Sequence, residues 1–528
     1  MSILGAVMVP HPPIILPEIG RGEEKKIRAT TEAYQKAMAF AASLQPETVI
    51  ITSPHSVMYS DYFHISPGLD AEGDFRRFRA RNVRIRADYD YELVHTLCGI
   101  CDRDDFPAGT MGERDPGLDH GTMIPLYFLN QHLDPDSYRV VRIGLSGLPL
   151  TDHYLLGQKI REAVEKTDRR VVLIASGDLS HKLKKDGPYG LDENGPVYDE
   201  RIMDVMGRAQ FDELLDFDET FCERAAECGH RSFVIMAGAL DGTAVRAHRL
   251  SHEGTFGVGY GVCTYQVTGE DRMRRFLDLW KEKKQKELVL KRKDEDIYVQ
   301  LARRGVEYAV KKHRALPDPE IFALLDSAGK TSDPSAAEAQ GGAPADREPE
   351  KESAELQETR KSQGSQGSQE SQRSQESQRS QGTQESQEEL RHRRAGAFVS
   401  IHKDGRLRGC IGTIAPTCSC IAKEIAQNAL SASMRDPRFS PIRPSELDSL
   451  EITVDVLGET EKISSPDQLD VKRYGVIVTK GRRRGLLLPN LDGVDTVEEQ
   501  ISIALQKAGL DTDEEDYELE RFEVVRHY

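Results

Sequence analysis

Three histidines in the first half of the chain each follow a short apolar run: His11 after ILGAVMVP, His55 after TVIITSP, and His181 at the end of VVLIASGDLSH. A neutral imidazole can ligate a metal or move a proton, with an ordinary pKa near ~6.5. Glu227, in ECGHRSF, adds a carboxylate. Two imidazoles and one carboxylate on one face of an ion leave positions open, the arrangement with which non-haem Fe(II) oxygenases hold a substrate beside dioxygen. Zinc hydrolysis draws on the same ligand types, so these residues alone leave the reaction open. His181 would serve as acid/base, with Asp178 three residues earlier setting its tautomer. His120, in GLDHGTMIPL just after the helix cap Asp119, sits where a helix dipole keeps an imidazole neutral, which suits hydrogen bonding near an anion.

Such side chains need rigid supports. Residues 2–9, 48–53 and 171–176 are continuous, β-branched apolar runs ended by Pro, Ser or Gly, and read as buried strands. Pro12, Pro13 and Pro54 stiffen the turns that carry His11 and His55. Ligands of open α/β sheets sit beyond the carboxyl ends of strands, where these histidines fall. The alternative at 176–181 is a helix start capped by Ser176 or Asp178, with His181 on the surface. Between the strands lie helical patterns at 23–44, YELVHTLCGICD and DHYLLGQKIREAVEK. The alternation predicts α/β layers. Two further helices with a break at Glu227–His230 follow, Gly229 reading as a C-cap or hinge. The strands VRAHRLSH and FGVGYGVCTYQVT close a domain near residue 270.

A charged connecting helix spans 271–287 and carries the single Trp, Trp280. An amphipathic helix follows. Residues 327–392 are dominated by Ser, Gln, Glu, Gly and Arg in near-repeats such as SQESQRSQ, too polar to offset chain entropy, and are expected to be disordered. From 393 to 528 a hairpin around Lys403-Asp404-Gly405, several more strands and fewer helices predict an α+β domain.

At 528 residues the chain has room for about two or three domains, at ~100–200 residues each. A formal net charge of −17 argues against nucleic acid as the main partner. No apolar run approaches the ~18 residues of a membrane span, which, with no secretory signal pattern, gives a cytoplasmic expectation. Eight cysteines are few for this length and suggest reduced thiols. The Cys98/Cys101 pair lies inside a helical pattern and Cys410, Cys418 and Cys420 find no fourth ligand, so neither group predicts zinc.

The motifs VMVPHPP, ITSPHS, GLDHGTMIPL, SGDLSH and ECGHRSF, in this order over about residues 1–268, resemble the class III extradiol dioxygenases (the LigB-like superfamily) and the related Memo proteins. That resemblance implies an α/β domain with a central mixed sheet and helices on both faces. It also implies His11, His55 and Glu227 as Fe(II) ligands, His181 as acid/base, and His120 hydrogen-bonding bound oxygen or substrate. The implied reaction is cleavage by O₂ of a catechol- or aminophenol-like ring. Memo proteins carry a cysteine where the dioxygenases carry the glutamate, and Cys228 adjoins Glu227. A thiolate is softer and favours copper or zinc. Glu227 is preferred here, with Glu253 a weaker third candidate. Without dioxygenase activity the domain would be a Memo-like copper protein, or a peptide- or ligand-binding module.

In the second half, GAFVSIHKDGRLRGCIGT, RDPRF and LEITVDVL resemble the AMMECR family, whose α+β domain would comprise 288–326 and 393–528 with the Ser/Gln-rich stretch inserted. Arg408, Gly409, Cys410 and Arg438 are its candidate surface site; the alternative is a glycine-bearing hairpin with Cys410 packed inside. The fusion resembles the AmmeMemoRadiSam set, which implies a radical-SAM protein partner.

Overall fold

In a computed structural model, which describes residues 3–328 and 385–528 apart from 492, 513 and 515, the chain divides into two compact units, residues 1–283 and 284–528. The first is organised on a six-stranded sheet. Its strands are β1 (Ile3–Val9), β2 (Thr48–Ser53), β3 (Arg139–Gly144), β4 (Val171–Ser176), β5 (Thr243–Glu253) and β6 (Tyr260–Glu270), in the order β3-β2-β4-β1-β6-β5. The first four are mutually parallel, and β6 runs antiparallel to β1.

Both faces of the parallel strands are covered, which is why their sequences are continuously apolar rather than alternating. Val7, Val9, Val49, Ile51, Val172 and Ile174 point into one core with the helices Arg28–Ser43 and His120–Leu129. Their neighbours Ala6, Met8, Ile50, Leu173 and Ala175 point into the other, against Leu150–Thr167, Asn194–Arg208 and His230–Ala239. Register puts Val9 beside Ser176 and Thr52 beside Ala175, so β1, β2 and β4 end level on one edge. A separate two-stranded hairpin, Asp70–Phe75 with Ala80–Asp88, stands outside this sheet.

Beyond Ser176 the chain forms no helix until Asn194, so Ser176 and Asp178 are strand-end residues, not helix caps. Gly229 also differs from expectation: the helix Glu219–Ala225 ends on Ala226 in the left-handed region at φ 52°, and Gly229 stands at the N-cap of His230–Ala239. The connecting helix runs Phe276–Asp294.

The second unit holds two antiparallel four-stranded sheets. The first is ordered Arg406–Gly412, Ala397–Lys403, Leu450–Leu457, Val524–His527, and helices Ile297–Lys312 and Ile421–Met434 share its core. Asp404 and Gly405, at φ 52° and 78°, make the expected hairpin turn. The second sheet, Glu461–Ile463, Glu518–Phe522, Gly475–Lys480 and Arg483–Leu487, packs on helix Val497–Lys507. Most of the stretch expected to be disordered lies outside the described residues. Its C-terminal end is a correction: residues 385–392 are helical, because Leu390 supplies a fully buried apolar anchor and Glu389 accepts from the Tyr298 hydroxyl at 2.8 Å.

Candidate metal centre

Ring nitrogens of His11, His55 and His120 lie within 4.8 Å of one another at the level strand ends. Each arrives on a different support. His11 follows β1, and Asp178 accepts its backbone N–H at 2.8 Å. His55 follows β2, its N–H donating to Ser53 Oγ at 3.2 Å, while that hydroxyl donates to Asp119 Oδ1 at 2.6 Å. Asp119 caps the helix that starts at His120, accepting from Thr122 N at 3.0 Å and Thr122 Oγ1 at 2.8 Å. The His55 and His120 rings stack, centroids 4.0 Å apart, and His11 meets His55 edge-on at 4.7 Å.

Burial, above all, holds the pKa of each of the three below the ordinary histidine value, and the neighbouring imidazoles lower His11 and His120 further. All three are therefore neutral near pH 7 and carry lone pairs. Ser176 decides which nitrogen of His11 offers its own. Its hydroxyl donates to Gly121 O at 2.6 Å and so accepts from His11 Nδ1 at 2.9 Å, which leaves Nε2 unprotonated and facing His55 Nε2 at 3.0 Å. That separation is what two ligands ~2.0–2.1 Å from one ion take at about a right angle. The donor set thus fits a transition metal.

Of the candidate third ligands, the adjacent Glu227 and Cys228 point opposite ways. Cys228 Sγ lies 3.6 Å from His11 Nε2 and accepts from Asp178 N at 3.3 Å. The Glu227 carboxylate turns away, accepting from His230 N at 2.6 Å and lining a separate cavity of about 60 Å³ with Cys222 and Arg231. Burial there pushes its carboxyl up to about 7. Glu253 is remote from the cluster; it accepts from Thr30 N at 2.7 Å and Thr30 Oγ1 at 2.5 Å, capping a helix instead.

His181 and Asp178 line a cleft of about 760 Å³ with His11, His55 and His120. Asp178 is not the expected orienter of the His181 ring, since the bond it makes is to the His11 backbone; burial pushes its carboxyl up to about 6. His181 Nε2 is buried without a hydrogen-bond partner among the described residues, and its ring stacks on Tyr189 at 5.1 Å. Phe78, packed on His120 at 5.2 Å, and Tyr260 add aromatic walls.

One residue of this site escaped the sequence reading. Arg142 is 1% exposed, donates to Gly117 O at 2.5 Å, Asp115 O at 3.2 Å and Ser66 Oγ at 2.6 Å, and so pins the loop leading to Asp119 and His120. The single arginine inside the apolar run VVRIG was its signal.

In the second unit Arg408 is engaged by Glu446 at 3.0 and 3.1 Å and by the Ser440 and Pro441 carbonyls. Arg438 donates to Asp436 and to Cys410 O, and Gly409 packs against the Ala432 carbonyl with no room for a β-carbon. Cys410 Sγ accepts from Ser400 Oγ at 3.2 Å and is partly exposed. All eight cysteines are free thiols, and burial pushes Cys98 and Cys101 up to about 11 and about 12. No helix among the described residues is long and apolar enough to cross a membrane.

Residues 5–263 match the model of the catalytic LigB subunit of aromatic ring-opening dioxygenase, and residues 365–527 match AMMECR1. The chain therefore belongs to the family in which a LigB domain of the extradiol dioxygenase superfamily is fused to an AMMECR1 domain. Protein CA_C1420 of Clostridium acetobutylicum is 35% identical over 535 residues, covering 100% of this chain and 99% of that one. A Thermotoga maritima protein is 55% identical over 140 residues, 26% of this chain and 80% of its own. Among solved structures, the uncharacterized protein PH0010 of Pyrococcus horikoshii is similar at 24% identity and TM-score 0.29, covering 44% of this chain and 89% of that one. JW3007 of Escherichia coli K12 is similar at 16% and 0.35, covering 50% and 99%.

Proposed function

We propose that the LigB domain is a metal centre of mixed imidazole and thiolate type, in which His11, His55 and Cys228 hold the ion and His120 faces the bound ligand. The observation that carries this reading is the opposed orientation of neighbours: Cys228 Sγ is 3.6 Å from His11 Nε2, whereas Glu227 is bonded to the His230 amide. A soft thiolate beside imidazoles suits copper or zinc better than Fe(II). Bound there, copper would supply one-electron redox chemistry and zinc Lewis acidity. The protein's own part is to fix the His11 tautomer through Ser176, to wall the cleft with aromatic rings, and to hold His181 Nε2 as a neutral base ready to take a phenolic proton. The test is Cu(I) titration against a competing chelator: binding is lost in Cys228→Ser and kept in Glu227→Gln. The reverse pattern overturns it.

A second reading, ring cleavage by an Fe(II) dioxygenase, is favoured by the cleft itself, in which three neutral histidines and a partnerless His181 nitrogen face aromatic walls. Its substrate would be a small catechol or aminophenol. Anaerobic Fe(II) reconstitution followed by O₂ should then produce the yellow ring-opened product, and no product across a catechol and aminophenol panel rejects it.

A further inference from the structure

A second cavity, of about 450 Å³, lies on the other side of His55, Phe78 and His120, which wall both it and the histidine cleft. Its outer wall is the Asp70–Phe75/Ala80–Asp88 hairpin, whose eleven residues 76–86 include six arginines in a chain of net charge −17. Arg76, Arg77 and Arg84 line the cavity; Arg79 and Arg81, on the same hairpin, do not.

The acidic residues on its walls are largely engaged. Asp74 takes three hydrogen bonds from the Arg76 side chain, Asp119 is held by Ser53 and Thr122, and Asp115 accepts from Gly117 N. Exposed Glu72 stands opposite Arg86 in the hairpin register. By contrast, Arg77 and Arg84 donate no side-chain hydrogen bond among the described residues; Arg84 lies across from Asp74 in register and helps hold that carboxyl down, without bonding to it. Two guanidinium forks with unused donors in one cavity match an oxyanion that presents several acceptor oxygens and two negative charges, and guanidinium is more weakly hydrated than ammonium and readily desolvated.

We propose that this cavity is a phosphate-class oxyanion site, read by Arg77 and Arg84, whose occupant adjoins the histidine cleft at Phe78. The site stands whichever ion the histidines hold. It is tested by calorimetric titration of the full-length protein, its metal content measured beforehand, with inorganic phosphate, phenyl phosphate and acetate. Wild type binds both phosphates and binds acetate more weakly. The Arg77→Gln/Arg84→Gln variant loses roughly tenfold or more in phosphate affinity, the scale of a charge-assisted bidentate contact. Arg79→Gln/Arg81→Gln removes the same charge from the same hairpin and leaves affinity within about twofold, and Glu72→Gln tightens binding by removing a like charge from the wall. Tighter binding of phenyl phosphate than of inorganic phosphate assigns the anion to an aromatic ligand reaching past Phe78; equal binding assigns it to free phosphate. No phosphate binding, acetate binding as tight as phosphate, or equal losses in the two double-arginine variants overturns the proposal. Retention of metal by all variants separates that failure from any failure of the metal centre.

Discussion

Ser176 makes two bonds with one hydroxyl, and their direction matters more than their number. Because its proton goes to Gly121 O, it can only accept from His11, and the lone pair of Nε2 is left free. Orienting partners of this kind are worth ~10–100-fold in metal affinity. Ser176→Ala should therefore weaken metal binding by about that factor while leaving the thermal unfolding profile near wild type, a pairing measured by chelator competition and differential scanning calorimetry. Asp436 carries a pH signature in the other unit. The Arg438 hydrogen bond, chiefly, holds its carboxyl down to about 2. A depressed folded pKa stabilises above the unfolded value of ~3.9 and is lost as pH falls below it. The stability gap between wild type and Arg438→Met should be constant above about pH 5 and close as pH approaches 2, measured by denaturant unfolding across that range. At this scale the histidines were legible, since a polar residue after a buried strand and a rigid Pro is visible in sequence. The choice between Glu227 and Cys228 was not: adjacent side chains diverge, and which one faces the cluster depends on the left-handed Ala226 and on the packing around Gly229.

Two loops meet at that glycine. A β-carbon on Gly177 would overlap the Gly229 backbone, and one on Gly229 would press on Gly177, so the turn after β4 and the turn carrying Cys228 approach at backbone distance. Gly229→Ala forces them apart, at a cost of about 1–3 kcal/mol for overpacking, and should take Cys228 away from His11. Loss of metal together with a lowered melting temperature is the expected result, and full metal retention contradicts it. On the opposite wall Arg142 holds the loop before His120 by two carbonyls, with Glu113 and Asp119 as its nearest carboxylates at 3.7 and 3.9 Å. Arg142→Met removes the buried cation those groups surround and should cost about 3 kcal/mol or more, read by urea unfolding. The elements themselves were largely readable. Strands buried on both faces give apolar runs, and Asp119 and Asp404-Gly405 are local signals that work without tertiary context. Arg142 and the paired glycines act only through residues far along the chain.

Each unit has its own core clusters among the described residues. Those of the first end at Trp280, and those of the second begin at Ile297. A fragment ending after the helix Phe276–Asp294 should therefore fold alone and bind metal as the full chain does; an unfolded circular dichroism spectrum would contradict this. The Ser/Gln-rich stretch is polar almost throughout, yet one leucine in it, Leu390, is fully buried and anchors the helix at 385–392. Composition averages over such anchors. X-ray absorption on the copper- or zinc-loaded protein reads the ligands of the ion. One sulfur scatterer at ~2.3 Å beside nitrogens at ~2.0–2.1 Å, with the sulfur lost in Cys228→Ser, is the predicted result. A shell of nitrogen and oxygen alone in the wild type would contradict it.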